Sequence, residues 1–303
     1  GKELLISRSW IDRHADLYLG KADGSGTLKQ LTDTVAERYE AIDWVIPSII
    51  EVPSSHGERP IYSKLYLPSD FDSTKKYPAV MFVHGAGYTQ NVHMGWPYYF
   101  REFMFHTLLT RAGYIVLDMD YRASKGYGRD WRTTIYRNMG HPELEDYLDG
   151  IDYLVANHGV ERDRVGIYGG SYGGFMTFMA LFRAPEAFAA GAALRPVVDW
   201  MNYNNGYTGA ILNTPEIDPE AYQRSSPINF AAGLQSPLLI AVGMQDDNVF
   251  FQDSVLLVQR LIELKKEDFE TAFYPLDAPG FVHPESWLDE YRRIFKLMET
   301  HVK

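Results

Sequence analysis

The 303-residue sequence contains no cysteine, which excludes a disulfide scaffold, a thiolate metal site and a cysteine nucleophile. Its longest apolar runs, 79–83 and 188–194, fall far short of the roughly 18 residues that a membrane-spanning helix needs. Basic residues number 29 against 40 acidic ones. The resulting net charge of −11, with no basic run, argues against a nucleic-acid or anionic membrane partner.

The chain also lacks a recognisable targeting segment. Its first ten residues include Lys2, Glu3 and Arg8 but no long apolar core, so no signal peptide is predicted in this chain. Without cysteines the redox environment is not constrained, and both the cytoplasm and the periplasm stay open. The chain begins with glycine rather than methionine, which suggests an excised or processed piece.

From Tyr77 onwards, apolar strands alternate with amphipathic helices, which predicts a mostly parallel sheet with helices on both faces. The composition, 46% hydrophobic and 14% aromatic, is typical of a packed globular protein. The predicted strands are 78–83, 114–119, 165–168, 189–194, 237–242 and 269–274. The predicted helices are 98–111, 142–157, 175–182, 252–264 and 285–302.

The first 35 residues form a different pattern of short strands, predicted at 4–9, 15–19 and 27–31 around a turn at 23–26. A meander this small cannot bury a face of its own and must lean on another part of the molecule. Two more extended runs, 44–51 and 61–67, flank a hairpin-like connection at 53–57.

The clearest chemical signal is the run Gly169-Gly170-Ser171-Tyr172-Gly173-Gly174 between a predicted strand and a predicted helix. This is G-x-S-x-G in the strand–turn–helix setting where the turn exposes the serine hydroxyl. The helix start adds backbone N–H groups and a positive dipole end for an oxyanion. The interpretation as a nucleophile competes with that of a glycine-rich turn containing an incidental serine.

An acidic partner for the serine is predicted after the strand 237–242, in Gly243-Met244-Gln245-Asp246-Asp247-Asn248. Sites of open α/β sheets form at the carboxyl ends of the strands, where these carboxylates lie. The alternative is that Asp246 and Asp247 only form a turn or cap the next helix.

Four motifs together resemble the catalytic domain of the prolyl oligopeptidase family of serine peptidases, most closely its dipeptidyl-peptidase and acylaminoacyl-peptidase branches. They are His84-Gly85-Ala86-Gly87, the run Tyr121 to Gly128, Gly169 to Gly174, and Asp246-Asp247-Asn248-Val249. The resemblance covers about three quarters of the chain and implies an α/β-hydrolase domain at 41–303. It also implies that residues 1–40 are the end of a β-propeller, so that the chain looks truncated.

The resemblance assigns roles to individual residues. It makes Ser171 the nucleophile and Asp246 the triad acid, with an oxyanion hole formed by backbone N–H groups of Tyr172 and the turn His84–Ala86. It further implies a pocket for the residue before the cleaved bond, lined by Val197, Trp200, Tyr203, Tyr207 and Val249, with Asn248 bonding a substrate carbonyl. The alternative for these aromatic residues is ordinary core.

The sequence departs from the family at the catalytic base. In the loop Tyr274-Pro275-Leu276-Asp277-Ala278-Pro279-Gly280-Phe281, alignment on Gly-Phe places Pro279 where the family has histidine. His283, four residues later, is the remaining candidate base, because four extended residues span about 13 Å. Its alternative is a surface histidine at a helix entrance. The other histidines lack triad spacing, and no metal site or cofactor is predicted.

Three hypotheses follow. The first is a serine hydrolase that cleaves short peptides through an acyl-enzyme on Ser171, with His283 as base. The second is a catalytically impaired or inactive homologue that binds peptides or a partner protein, because Pro279 occupies the base position. The third is an esterase with an open site. The expected ligand is a short peptide or an ester, and self-association is left open.

Overall fold

The computed structural model describes residues 1–57 and 59–303. The strands are β1 (Glu3–Trp10), β2 (Arg13–Lys21), β3 (Lys29–Gln30), β4 (Ser48–Val52), β5 (Ile61–Tyr66), β6 (Tyr77–Val83), β7 (Ile115–Met119), β8 (Val160–Gly170), β9 (Ala190–Leu194), β10 (Leu238–Gly243) and β11 (Phe269–Tyr274). The helices are α1 (Glu37–Glu40), α2 (Phe100–Arg111), α3 (Arg129–Arg132), α4 (Pro142–His158), α5 (Tyr172–Arg183), α6 (Asn205–Leu212), α7 (Pro219–Ser225), α8 (Phe251–Glu263) and α9 (Pro284–His301). Among the described residues, no helix combines the length and apolar character required to cross a membrane.

The main sheet has eight strands in the order β11-β10-β9-β8-β6-β7-β5-β4. The strands from β6 to β11 run parallel to their neighbours, while β5 pairs antiparallel with β7 and β4 pairs antiparallel with β5. The predicted mostly parallel sheet is therefore confirmed. The predicted hairpin-like connection at 53–57 lies between β4 and β5, which pair antiparallel.

Helices cover both faces of this sheet, as the central strand β6 illustrates. All seven residues of β6 are buried, and they alternate between two cores: Met81 packs into one and Phe82 into the other. Helices α4, α5 and α8 pack on the first face, and α2 and α9 on the second. A strand buried on both sides gains hydrophobic stabilisation from each residue, which keeps the carboxyl ends of the strands fixed.

The ends of α4 follow ordinary helix chemistry. Pro142 occupies the first turn, where its missing N–H is not needed. Gly159 ends the helix in the left-handed conformation with φ 67°, and a Cβ there would collide with the Lys75 carbonyl oxygen at 2.5 Å. The prediction of this helix was right to within one residue at its end.

The amino-terminal strands form a separate three-stranded antiparallel sheet in the order β1-β2-β3. The predicted support from the rest of the molecule is present: Ile11, between β1 and β2, is buried in the same core as Phe103 of α2. The Trp96 backbone N–H also donates to Ser9 Oγ at 3.2 Å. Strand β3 is shorter than predicted, β4 begins at Ser48 rather than near Trp44, and the short helices α1, α3, α6 and α7 were not predicted.

Candidate active site

Four neighbouring strands deliver their following residues to one edge of the sheet. Register pairs Gly170 of β8 with Leu194 of β9, Leu194 with Ala241 of β10, and Gly243 with Tyr274 of β11. Because these strands are parallel, the loops that follow them lie side by side. Together with residues 96–99, the start of α2 and Trp287 of α9, these loops form a cavity of about 670 Å³. It is lined by Trp96, Pro97, Tyr98, Tyr99, Phe100, Arg101, Glu102, Gly170, Ser171, Arg195, Asp246, Asn248, Val249, Pro279, Gly280, Phe281 and Trp287.

Ser171 occupies a sharp turn between β8 and α5. Its φ of 58° and ψ of −115° lie where residues with a side chain rarely go, a strain often found at functional sites. The turn presses against the end of β6, since a Cβ at Gly169 or Gly173 would collide with the Val83 carbonyl oxygen. Glycine at both positions therefore permits the turn that exposes Ser171 on the cavity wall.

A helix start and a turn flank this serine. Tyr172 is the first residue of α5, so its N–H has no acceptor within the helix. On the other side lies the turn after β6, where a Cβ at Gly85 would be 3.7 Å from Ser171 Cβ. Ala86 in this turn has φ 59°. The turn is thus adjacent to the nucleophile candidate, and the oxyanion role of Tyr172, His84 and Ala86 stays a prediction.

The His84 side chain is fully buried, and its Nδ1 lies 3.0 Å from the Gly85 carbonyl oxygen of this turn. Its Nε2 lies 2.9 Å from Ser124 Oγ, and Tyr121 donates its hydroxyl to the His84 carbonyl at 2.8 Å. Burial lowers the pKa of His84 to about 4, so the ring is neutral at neutral pH. His84 holds the turn in place and does not supply a base to Ser171.

A tyrosine that the sequence did not single out also reaches this turn. Tyr99 lines the large cavity, and its phenol oxygen accepts the Gly85 backbone N–H at 2.6 Å. Burial raises the pKa of this phenol well above its ordinary value, so the group is protonated and keeps its own O–H as a donor. Tyr99 lies just before α2 and belongs to none of the four motifs, so the sequence did not indicate this contact.

Asp246 follows β10 and is held by the turn it begins. Its Oδ1 accepts the backbone N–H groups of Asn248 at 2.9 Å and of Val249 at 2.8 Å. Its Oδ2 is buried and has no hydrogen-bond partner among the described residues. Burial raises the pKa of the carboxyl group, as expected for a carboxylate withdrawn from water. Two backbone N–H groups thus orient the carboxylate through Oδ1, while Oδ2 accepts no hydrogen bond from the described residues.

The loop after β11 folds back over the end of β10. Gln245 donates its backbone N–H to the Asp277 carbonyl at 3.1 Å, and a Cβ at Gly243 would collide with that same carbonyl oxygen. This path places Pro279 on the wall of the cavity that Ser171 and Asp246 share. Among residues 1–57 and 59–303, no histidine lines the cavity.

His283 is held elsewhere. It precedes the first residue of α9, and its Nδ1 lies 3.0 Å from Asp277 Oδ1, which also accepts the His283 and Val282 backbone N–H groups. Burial alone would raise the pKa of Asp277, but hydrogen bonds from Ser286 and His283 outweigh it and lower the pKa. Half of the His283 side chain is exposed. The structure thus does not bring His283 to the cavity. It places His283 at the surface, directly before α9, as the alternative interpretation of this histidine expects.

A second, smaller cavity of about 160 Å³ opens beside Ser171. It is lined by Ala86, Tyr88, Ser171, Tyr172, Val197, Trp200, Tyr203, Tyr207 and Asn248. The Trp200 and Tyr207 rings stack with centroids 5.9 Å apart, and Tyr203 donates its hydroxyl to Asn248 Oδ1 at 3.0 Å. Five of the six residues predicted for the substrate pocket lie here, while Val249 lines the large cavity.

An ion cluster that the sequence did not predict lies at the large cavity, whose lining includes Arg195 and Glu102. Arg195 follows β9 with φ 39°, and its Nη1 lies 3.5 Å from Glu290 Oε1 of α9. Glu102 accepts the Tyr291 hydroxyl at 3.0 Å. Burial raises the pKa of Glu290 to about 7. The members come from α2, β9 and α9, so only the folded chain brings them together.

Comparison with solved structures supports the architecture. The Porphyromonas gingivalis dipeptidyl peptidase 4 structure superposes with a TM-score of 0.89 at 27% identity, covering 99% of this chain and 42% of that one. The Pyrococcus horikoshii acylaminoacyl peptidase superposes with a TM-score of 0.85 at 23% identity, covering 100% of this chain and 48% of that one, a likeness of fold alone. The fold is the α/β-hydrolase fold.

Sequence comparison leads to the same group. A protein of Talaromyces marneffei named "Probable dipeptidyl-aminopeptidase B" is 34% identical over 210 residues, 69% of this chain and 23% of its own length. Mouse (Mus musculus) dipeptidyl peptidase 8 is 32% identical over 250 residues, 80% of this chain and 27% of its own length. The chain thus spans about a quarter of the curated relatives it matches. The model of the prolyl oligopeptidase family matches residues 99–303, and the chain belongs to this family of serine peptidases.

Proposed function

We propose that this protein binds a short peptide in the two cavities beside Ser171, and that its unaided acyl transfer is strongly impaired. The observation that carries the proposal is Pro279 on the wall of the cavity that contains Ser171 and Asp246. Proline has no side-chain atom that accepts a proton, so the serine lacks a base at this point.

The size of the impairment follows from the chemistry of a serine nucleophile. A neutral hydroxyl attacks a carbonyl only when a base takes its proton, and loss of the base from a protease triad lowers kcat roughly a million-fold. An oxyanion hole and a binding pocket alone retain about a thousand-fold acceleration over water. The protein therefore keeps the parts that bind and polarise an acyl group but not the part that activates the serine.

The proposed ligand follows from the shape of the small cavity. Trp200, Tyr203 and Tyr207 give it aromatic walls, and about 160 Å³ suits a small apolar side chain. The named relatives are dipeptidyl and acylaminoacyl peptidases. Their likeness supports a peptide whose small apolar residue enters this cavity and whose carbonyl reaches Ser171.

The first test is the labelling of Ser171 by a fluorophosphonate, measured by intact mass. We expect the parent protein to label slowly, the Ser171→Ala variant not to label, and the His283→Ala variant to label at the parent's rate. Restoring a base with Pro279→His should accelerate labelling by about a hundredfold or more. The matched control Pro279→Ala removes the proline ring without adding a base and should stay slow.

Two results would contradict the impairment. Rapid labelling of the parent that disappears in His283→Ala would make His283 the working base, with the loop rearranged, and the protein a working hydrolase. Rates on an activated ester and an aminoacyl amide would then separate an esterase from a peptidase. Rapid labelling that survives His283→Ala would point to another base.

Peptide binding is tested separately by calorimetry with the Ser171→Ala variant. A tripeptide with a central proline or alanine should bind, and Tyr207→Ala should weaken binding about tenfold, about 1.4 kcal/mol. The control Tyr136→Ala removes a half-exposed tyrosine outside both cavities and should leave the affinity unchanged. Absence of peptide binding would reject the proposed function.

A further inference from the structure

We propose that an apolar groove between α2 and α9 is a second binding site of this protein, which takes the last residue of the bound peptide. The apolar side chain of that residue lies in the groove, and its free α-carboxylate lies on Arg101. This inference rests on the proposed function and deepens it, because it specifies the ligand as a short peptide with a free carboxyl terminus and an apolar last residue.

The groove has a volume of about 420 Å³, and its apolar side chains are accessible from solvent. Leu108 is 48% exposed, Val282 73% and Leu288 51%. The wall also includes Met104 and Phe105 of α2 and the rings of Trp287 and Tyr291 of α9. Adjoining apolar side chains that are left exposed in this way are typical of surfaces that bind a partner.

The polar atoms of the two aromatic residues from α9 are already hydrogen-bonded. Trp287 donates its Nε1 N–H to the Phe281 carbonyl at 2.7 Å, and Tyr291 donates its hydroxyl to Glu102 Oε1 at 3.0 Å. These two residues therefore present ring surface to the groove. An apolar side chain of a ligand gains by leaving water for such a surface.

Arg101 lies beside this apolar surface with its guanidinium group held between two rings. Its Cζ is 4.4 Å from the centroid of the Phe100 ring and 4.5 Å from that of the Trp287 ring. Within the described part of the chain, residues 1–57 and 59–303, Arg101 forms no salt bridge. A stacked guanidinium group presents its N–H groups along its edge, where they suit the two oxygens of a carboxylate.

The charges of the large cavity are compatible with an anion at Arg101. Its lining contains a second cation, Arg195, and two carboxyl groups, Glu102 and Asp246. Both carboxyl groups are almost entirely buried, and burial raises the pKa of each, which favours the neutral form.

The groove is continuous with the large cavity. Arg101 and Trp287 line both spaces, so the two meet at these residues. Pro279 and Phe281 line the large cavity, and Val282, the next residue, lines the groove. Because a triad base returns its proton to the leaving nitrogen, the peptide segment after the carbonyl lies along the wall at the base position. That wall leads directly into the groove.

The size of the large cavity sets the length of this segment. A space of about 670 Å³ is at least about 11 Å long, a distance that about three residues of extended chain span. We therefore expect about three residues between the carbonyl at Ser171 and the end of the peptide, the last of them at Arg101.

The test measures peptide binding to the Ser171→Ala variant by calorimetry. The peptides begin with Gly-Pro, continue with zero to three glycines and end in phenylalanine with a free carboxylate. We expect the highest affinity with about two glycines. Amidation of the carboxyl terminus should weaken the binding of this peptide about tenfold, since it removes a charge-assisted hydrogen bond. Replacement of the terminal phenylalanine by glycine should weaken it to a similar extent.

Variants of the protein assign these effects to the groove. Arg101→Gln should abolish the difference between acid and amide, and Arg101→Lys, which keeps the charge but not the planar group, should retain part of it. Leu288→Ala should reduce the preference for phenylalanine over glycine. The matched controls Arg129→Gln and Leu256→Ala change exposed side chains outside both cavities and the groove and should leave every affinity unchanged.

Two results would overturn the proposal. One is equal affinity of acid and amide at every length, and the other is a difference between them that survives Arg101→Gln. An amidated peptide with glutamate beside phenylalanine separates the two kinds of carboxylate. If it binds as tightly as the free acid, Arg101 accepts a side-chain carboxylate and the assignment of the peptide terminus is wrong.

The two proposals fail in different ways. If peptides bind and Tyr207→Ala weakens them, but acid and amide bind equally, only the role of the groove is rejected. If no peptide of the series binds, the proposed function fails and the inference fails with it.

Discussion

A buried carboxyl group, Glu143, contacts the side chain of the residue that follows the nucleophile candidate. It accepts a hydrogen bond from the Tyr172 hydroxyl, and its other oxygen accepts the Gly140 backbone N–H at 2.9 Å. Burial raises the pKa of Glu143 from 4.5 to about 7. Since Tyr172 lines the small cavity, the protonation of Glu143 bears on the wall of the proposed binding site.

The sign of the resulting pH effect follows from linkage. Between about pH 4.5 and 7 the folded state holds a proton on Glu143 that the unfolded state has released, so the free energy of unfolding falls as the pH rises through this window. The contribution of this one group is on the order of 3 kcal/mol. It is fully present below pH 4.5 and lost above the folded pKa.

We therefore predict that Glu143→Gln, which cannot ionise, removes this part of the pH dependence. Relative to the parent, the variant should become more stable as the pH rises from 5 to 8. Urea unfolding at several pH values, followed by circular dichroism, measures the difference. Parallel stability curves for the two proteins would show that Glu143 does not titrate in this range.

At the scale of the elements, the position of Ser171 depends on the contact between the turn before α5 and the end of β6. A Cβ at Gly173 would collide with the Val83 carbonyl oxygen, a backbone atom that cannot rotate away. We predict that Gly173→Ala lowers the free energy of unfolding by about 1–3 kcal/mol or more, because overpacking forces the backbone apart. It should also slow the labelling of Ser171.

The matched control for this prediction is Gly209→Ala. Gly209 lies within α6, and apart from its chain neighbours and the backbone of that helix no atom lies within 4 Å of the position of its Cβ. Alanine in a helix is favoured over glycine by about 1 kcal/mol, so this variant should be as stable as the parent or more stable. Equal stability of the Gly173 and Gly209 variants would mean that the elbow is not tightly packed. Thermal unfolding of both is the measurement.

The elements differ in how far the sequence predicts them. Strand β6 was predicted to within one residue, because a strand buried on both faces is apolar at every position. Helix α6 was missed, since its eight residues show no separation into apolar and polar faces. Its start depends on the Asn204 side chain, which accepts the Gly206 N–H at 2.8 Å. This cap lies in the aromatic segment that the sequence analysis interprets as a substrate pocket.

The candidate site shows the same division. Ser171, Asp246 and Pro279 follow strands, so their meeting at one edge of the sheet follows from the strand pattern. The position of His283 does not follow from the strand pattern, because it depends on the path of a loop. That path is fixed by Asp277, whose side chain binds two backbone N–H groups and the His283 ring. Such side-chain contacts within a loop have no periodic signal in the sequence.

At the scale of the whole molecule, one side of the amino-terminal sheet packs against the hydrolase body, residues 41–303, and its other side faces solvent. Leu4 and Leu5 of β1 are 50% and 64% exposed, whereas Ile11 is 2% exposed. The His14 and Trp96 rings meet edge to face, with centroids 5.9 Å apart, and Trp96 lines the large cavity. The small sheet therefore supports one wall of the proposed binding site.

This arrangement predicts that the small sheet and the hydrolase body unfold together. Ile11→Ala should lower the free energy of unfolding of the entire chain by about 2–5 kcal/mol, because it leaves a cavity in the core shared with α2. Leu5→Ala removes a mostly exposed side chain of similar size and should change stability by less than about 0.5 kcal/mol. Urea unfolding, followed both by circular dichroism and by tryptophan fluorescence, should show one coincident transition in each protein. A separate early transition in Ile11→Ala, with the main transition unmoved, would instead mean that the small sheet detaches from an intact hydrolase body.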